Sequence, residues 1–237
     1  MNGDMHASGV SAFADDPGLF VEVNGIGIHY RIRKSGNPVL LFLHGSFLSM
    51  RSWRFVFGPL ADRYTVIAID RPAFGGTERP VPVPGRPNPY SPEGQTDLIA
   101  ALLDRLGFDK AVLVGNSTGG TIALLAALRY PDRVSGLVLA DPMVYSGYAT
   151  SEFPSWLYPV FRKGAPVGEL LAGVMIRLAF GKLHRLFWYD PAMPDKTLLG
   201  EYRADMMQGR WGRGFWELLL SSHDLPKIGR ASCRERV

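Results

Sequence analysis

Ala111-Val-Leu-Val-Gly-Asn-Ser-Thr-Gly-Gly-Thr121 is the stretch that decides the fold. An apolar run at 111–114 reads as a buried strand, and the nearly all-apolar stretch 121–129 reads as a helix wedged against a sheet. Between them Ser117 sits on a tight strand-to-helix turn that lifts its hydroxyl above the sheet. Gly115 and Gly119, two residues before and after it, leave room for the neighbouring strand and helix. Thr118 then offers its backbone N–H at a helix N-terminus, where it can meet a developing negative charge. A serine held in this way is a candidate nucleophile.

Working outward, the same rhythm recurs. Leu19–Val23 and Ile26–Arg33 flank Asn24-Gly25, a two-residue hairpin signal. In the second run Ile26, Ile28, Tyr30 and Ile32 alternate with Gly27, His29, Arg31 and Arg33, which predicts one buried and one wet face. Val39–Leu43, Thr65–Ile69, 111–114 and 136–140 are near-continuous apolar runs, the pattern of parallel strands covered on both faces. Helical patterns separate them. Trp53, Val56, Phe57 and Leu60 share one helical face, and Leu98, Ile99, Leu102, Leu103 and Leu106 share another. Strands alternating with helices predict an α/β fold with a doubly wound, mostly parallel sheet.

Composition narrows the function classes. The chain has 237 residues, 46% of them hydrophobic, enough for a packed core. A formal charge of +4 is too small for a nucleic-acid footprint without a clustered basic stripe. Cys233 is the one cysteine, which excludes a disulfide framework and a cysteine-based zinc site. Residues 1–16 lack the apolar core of a signal peptide, and the longest apolar stretch, 167–180, is too short to span a bilayer. A cytoplasmic protein with no membrane span and no nucleic-acid partner is expected.

Seven of the 18 prolines lie between Pro72 and Pro92, which reads as a stiff surface connection. After Asp141 the alternation breaks. Residues 145–222 hold 14 of the 27 aromatic residues, and they read as a helical insertion over the sheet edge where ligands bind. Phe47, Tyr145 and Trp156 are the aromatic residues expected to touch substrate. The expected organisation is a flexible tail (1–18), a core (19–142), a helical cap (143–222), the start of a return to the core (223–227) and a non-native tail (228–237).

A second signal is Leu43-His44-Gly45-Ser46-Phe47, where Gly45 allows a sharp turn and the next N–H can face the charge that Thr118 meets. With FLHGS, the AIDRPAFGGTERP stretch and VGNSTGG in place, residues 20–227 resemble the α/β-hydrolase superfamily. The resemblance implies that the N–H groups of Ser46 and Thr118 form an oxyanion hole. It implies that His44 holds the loop and is not the catalytic base, and that the helical cap is inserted after the sixth strand. A serine at the elbow argues against epoxide hydrolases and haloalkane dehalogenases, which carry aspartate there. Asn116 resembles the carbon–carbon hydrolases of ring-fission products, although their Gly-rich oxyanion loop is absent. Esterases and lactonases are the larger class.

A serine nucleophile needs a histidine base and a carboxylate, in chain order serine, acid, histidine. His6 lies in the tail, His29 is expected to face out, and His184 reads as a surface or packing residue of the cap. His223 remains as an alternative base, and Asp141, ending the sixth strand, as an alternative acid. The usual acid and histidine follow a seventh and an eighth strand, and neither strand is recognisable. Residues 228–237, IGRASCRERV, match one reading frame of a common sequencing adapter, so the chain is expected to be truncated with its last strands missing. The expected activity is hydrolysis of a small hydrophobic acyl substrate, a carboxylic ester or a relative, through an acyl-enzyme. It requires no metal and no cofactor. Carbon–carbon hydrolysis and a non-catalytic binding protein on the same fold are the alternatives. As it stands, the chain is expected to be inactive.

Overall fold

The computed structural model describes residues 17–144, 163–186 and 188–221. Six strands, β1 (Leu19–Val23), β2 (Ile26–Arg33), β3 (Val39–Leu43), β4 (Thr65–Ile69), β5 (Ala111–Asn116) and β6 (Val134–Ala140), form one sheet in the order β1-β2-β4-β3-β5-β6. β1 pairs antiparallel with β2, and β2 antiparallel with β4; β4, β3, β5 and β6 run parallel. Helices α1 (Arg54–Ala61), α2 (Pro92–Leu106) and α3 (Thr118–Arg129) connect the parallel strands. Helices α4 (Ala165–Arg185), α5 (Lys196–Met206) and α6 (Trp211–Leu220) follow the sheet.

Side-chain alternation explains the two layers. Leu40, Phe42, Val66 and Ala68 point to the face covered by Phe57 and Ala61 of α1. Leu41, Leu43, Ile67 and Ile69 point to the other, against Leu98, Leu102 and Leu103 of α2 and Ile122 and Ala126 of α3. Both faces of β3 and β4 are therefore dry, as their apolar runs require. α2 is bounded by local chemistry: the Ser91 hydroxyl accepts from the Gly94 N–H at 3.0 Å, Pro92 starts the helix, and Gly107 ends it at φ 79°. Residues 83–87 of the proline-rich connection are exposed.

Three expectations are corrected. β6 is not covered on both faces: among the described residues it is one of the two edge strands, and Val138 is 53% exposed. Val56 is exposed, because α1 turns Arg54, Phe57 and Ala61 inward instead. The polar face of β2 is wet only toward its end at Arg33, since Arg31 is buried and His29 is largely covered.

Helices α4–α6 build a core of their own from Ile176, Phe180, Tyr202, Met206 and Phe215, against which Phe47 and Leu48 pack. Polar contacts fasten this layer to the 3₁₀ turn Met50–Trp53. The Ser49 hydroxyl donates to Asp205 at 2.7 Å, Arg51 Nε donates to the same carboxylate at 2.9 Å, and Arg54 donates to the Tyr202 hydroxyl at 3.1 Å. Among the described residues no helix is long and apolar enough to cross a membrane.

Candidate active site

β5 delivers the chain to Ser117, which adopts φ 51° and ψ −125° before α3 begins. This half of the map costs a non-glycine residue about 1–3 kcal/mol and persists only where the surroundings enforce it. Here they do. The Ser117 N–H donates to the Ala140 carbonyl at 3.0 Å, and the Ser117 carbonyl accepts from the Thr121 N–H at 3.1 Å. Ser117 occupies the N-cap position of α3, yet its hydroxyl makes no capping bond, so its oxygen is not consumed by the helix.

The glycines do what the spacing demands. A Cβ on Gly115 would stand 2.5 Å from the Gly120 Cα, and one on Gly119 would run into the carbonyls of Leu43 and His44. A Cβ on Gly45 would lie 3.0 Å from Asn116 Oδ1 and 3.1 Å from the Ser117 Cβ. Glycine at these positions lets the 44–47 loop press against the serine turn. Ser46 and Thr118, expected from sequence to act together, are in contact: their hydroxyl oxygens are 3.0 Å apart. Phe47, at φ 63°, lies at the boundary with α6, its ring 5.4 Å from that of Phe215.

His44 is fully buried. Its Nδ1–H donates to the Gly45 carbonyl at 2.7 Å and its Nε2 accepts from the Arg71 N–H at 3.0 Å. Burial, with Arg71 nearby, lowers its pKa to about 4, so the ring is neutral and both nitrogens hold the loop. His184 is buried between Phe180 and Tyr202, at ring distances of 5.2 and 4.7 Å, and burial lowers its pKa to about 4. It is a packing residue, not a surface one.

Asp141 follows the carbonyl that binds the Ser117 N–H and, at 3.2 Å, the Asn116 side-chain amide. β6 thus brings Asp141, at φ 51°, to the serine turn with its side chain exposed. Tyr145, Trp156 and His223 lie outside the described residues.

Two charged groups were not foreseen. Arg71 is buried beneath the turn. Its Nη1 donates to the His44 carbonyl at 2.7 Å and to the Thr118 hydroxyl at 2.9 Å, and its Nε donates to Gln95 Oε1 at 2.9 Å. One guanidinium therefore joins both loops that carry the expected oxyanion N–H groups. Next to it, buried Asp70 accepts from the Met50 N–H at 2.8 Å, the Gly76 N–H at 2.9 Å and His29 Nδ1 at 2.7 Å. His29 Nε2 reaches the Pro17 carbonyl at 2.8 Å. Both partners of His29 are acceptors, the arrangement an imidazolium satisfies. Burial opposes that charge, but the bond and charge of Asp70 outweigh it and raise the His29 pKa. The expectation that His29 faces solvent is corrected accordingly.

A family model for the α/β hydrolase fold matches residues 38–218. The chain belongs to the α/β-hydrolase family. It is 30% identical over 187 residues to the dihydrolipoyllysine-residue acetyltransferase component of the acetoin cleaving system of Cupriavidus necator, covering 77% of this chain and 48% of the relative. It is 38% identical over 125 residues to 2-hydroxy-6-oxo-2,4-heptadienoate hydrolase of Pseudomonas putida, covering 52% and 43%. A putative α/β hydrolase from Nostoc superposes with a TM-score of 0.67 at 21% identity, covering 91% of this chain and 75% of that one. The chain thus spans about half the length of the curated relatives it matches.

Proposed function

We propose that Ser117 is the nucleophile of a hydrolase that cleaves a carboxylic ester or related acyl substrate through an acyl-enzyme. The observation that carries this reading is the strained serine between β5 and α3, with a hydroxyl that caps nothing. In this reading the serine oxygen attacks the carbonyl, and the N–H groups of Ser46 and Thr118 receive the oxyanion. A histidine takes the serine proton and returns it to the leaving oxygen, and water then repeats the sequence on the acyl-enzyme. His29, His44 and His184 are each occupied structurally, so the base belongs outside the described residues, with His223 as one candidate. Asp141 is the candidate acid among the described residues. Phe47, Tyr145 and Trp156 would contact the substrate, and helices α4–α6 would form part of a cap spanning 143–222. In the full-length protein, Ser117→Ala should lower kcat by about 10⁶ with the fold intact. Ester turnover within tenfold of the parent would sink the assignment.

A second reading, carbon–carbon hydrolysis of a ring-fission product, is favoured by Asn116 and by the 38% identity to the heptadienoate hydrolase. Turnover of a ring-fission dienoate with no turnover of p-nitrophenyl esters would select it.

A further inference from the structure

Helix α4 leaves an apolar stripe in solvent. Val167, Leu170, Val174 and Leu178 recur at i, i+3, i+7 and i+11, one line along a 3.6-residue helix, and are 62%, 68%, 50% and 80% exposed. The opposite side of the helix is already used, since Ile176 and Phe180 fill the core shared with α5 and α6. An exposed line of large aliphatic side chains of this length marks a surface that meets something apolar.

The charges say what kind of surface. Within α4 the cations are Arg177, Lys182 and Arg185, besides the neutral, buried His184; the single acid is Glu169. Glu169 is turned toward α6, where Arg213 donates to it at 2.8 Å. On the helical wheel Arg177 and Lys182 stand on either flank of the stripe. Lys163 and Arg185 close its two ends. Long basic side chains at the margins of an apolar strip can lay their stems along it and reach outward with their charges. Arg210, at the edge of the cavity of about 430 Å³ between α4 and α6, extends the basic rim.

We propose that the outer face of α4 docks on an anionic lipid surface, its aliphatic stripe entering the interface and its rim of Lys163, Arg177, Lys182 and Arg185 meeting the headgroups. Charge decides against a second copy. Two such faces laid together would set cation rim against cation rim, with Glu169 already committed to Arg213. An anionic bilayer supplies both the apolar layer and the opposite charge. Docking here would hold the α4–α6 layer at the membrane. The proposal does not rest on the role of Ser117.

The test is co-sedimentation of the 237-residue chain with vesicles of phosphatidylserine mixed into phosphatidylcholine, and with vesicles of phosphatidylcholine alone. Binding to the anionic vesicles should exceed binding to the neutral ones by at least about tenfold. It should fall steeply as salt screens the headgroups. Leu170→Asp with Leu178→Asp should abolish it, and Arg177→Glu with Lys182→Glu should weaken it by about tenfold or more. Both pairs alter exposed side chains, so an unchanged circular dichroism spectrum accompanies the loss. Equal binding to both vesicles, or full binding by the aspartate pair, would overturn the proposal. So would an absence of binding by the parent. A concentration-dependent dimer broken by the aspartate pair would also overturn it and assign the face to a second copy.

Discussion

Arg71 shows how much of the site rests on one side chain. It supplies donors to His44, Thr118 and Gln95 at once, and its removal takes a charged donor from three buried acceptors, at about 1–3 kcal/mol for each that finds no other partner. Arg71→Met should therefore cost about 1–3 kcal/mol or more in a urea melt; a loss below 1 kcal/mol would show that the loops hold without it. The His29–Asp70 pair gives a pH signature. The His29 pKa is raised above 6.5, so its contribution is full below 6.5 and fades as pH rises through the raised value. The Asp70 pKa is lowered below 3.8 by the His29 bond and neighbouring charges despite its burial, so its contribution is full above 3.8 and fades as pH falls through the lowered value. Stability contributed by the pair should be greatest between 3.8 and 6.5. Unfolding midpoints measured across pH should show that plateau flattened in Asp70→Asn, and an unchanged profile would exclude the pair as its source. Neither feature was legible in the sequence. Partners 41 and 47 residues apart are invisible to a local pattern, and strand alternation assigned His29 and Arg31 to water. The strained turn at Ser117 and the close approach of the 44–47 loop were legible because glycine spacing reports backbone geometry directly.

At the scale of elements, apolar runs located β3, β4, β5 and β6, and the Asn24-Gly25 signal located the hairpin of β1 and β2. What they could not show was which strand is the edge. The run 136–140 reads like that of β3, yet β6 has a neighbour on one side only within this sheet. The serine turn depends instead on contacts between elements. Gly115→Ala places a methyl group against the backbone of α3, so β5 and the helix must separate. The expected cost is about 1–3 kcal/mol or more, read as a lowered thermal midpoint. An unchanged midpoint would show that the turn has slack. Asp205→Ala should loosen the α4–α6 layer from the Met50–Trp53 turn, leaving Arg51 and Ser49 without their carboxylate. Its cost is smaller, about 1 kcal/mol, because the pair is only partly buried. Amide exchange should speed up in α5 ahead of the sheet; uniform exchange across both would place the coupling elsewhere.

For the whole molecule, the sheet and its helices define the α/β-hydrolase family, while the proposed reaction requires Ser117 to meet a base outside the described residues. Relatives with different names on this fold show that fold and chemistry must be tested separately. The most direct measurement is covalent trapping in the full-length protein. A fluorophosphonate should leave one adduct, which peptide mass spectrometry should place on Ser117, and Ser117→Ala should take up none. An adduct on another residue, or undiminished labelling of Ser117→Ala, would contradict the assignment of Ser117 as nucleophile.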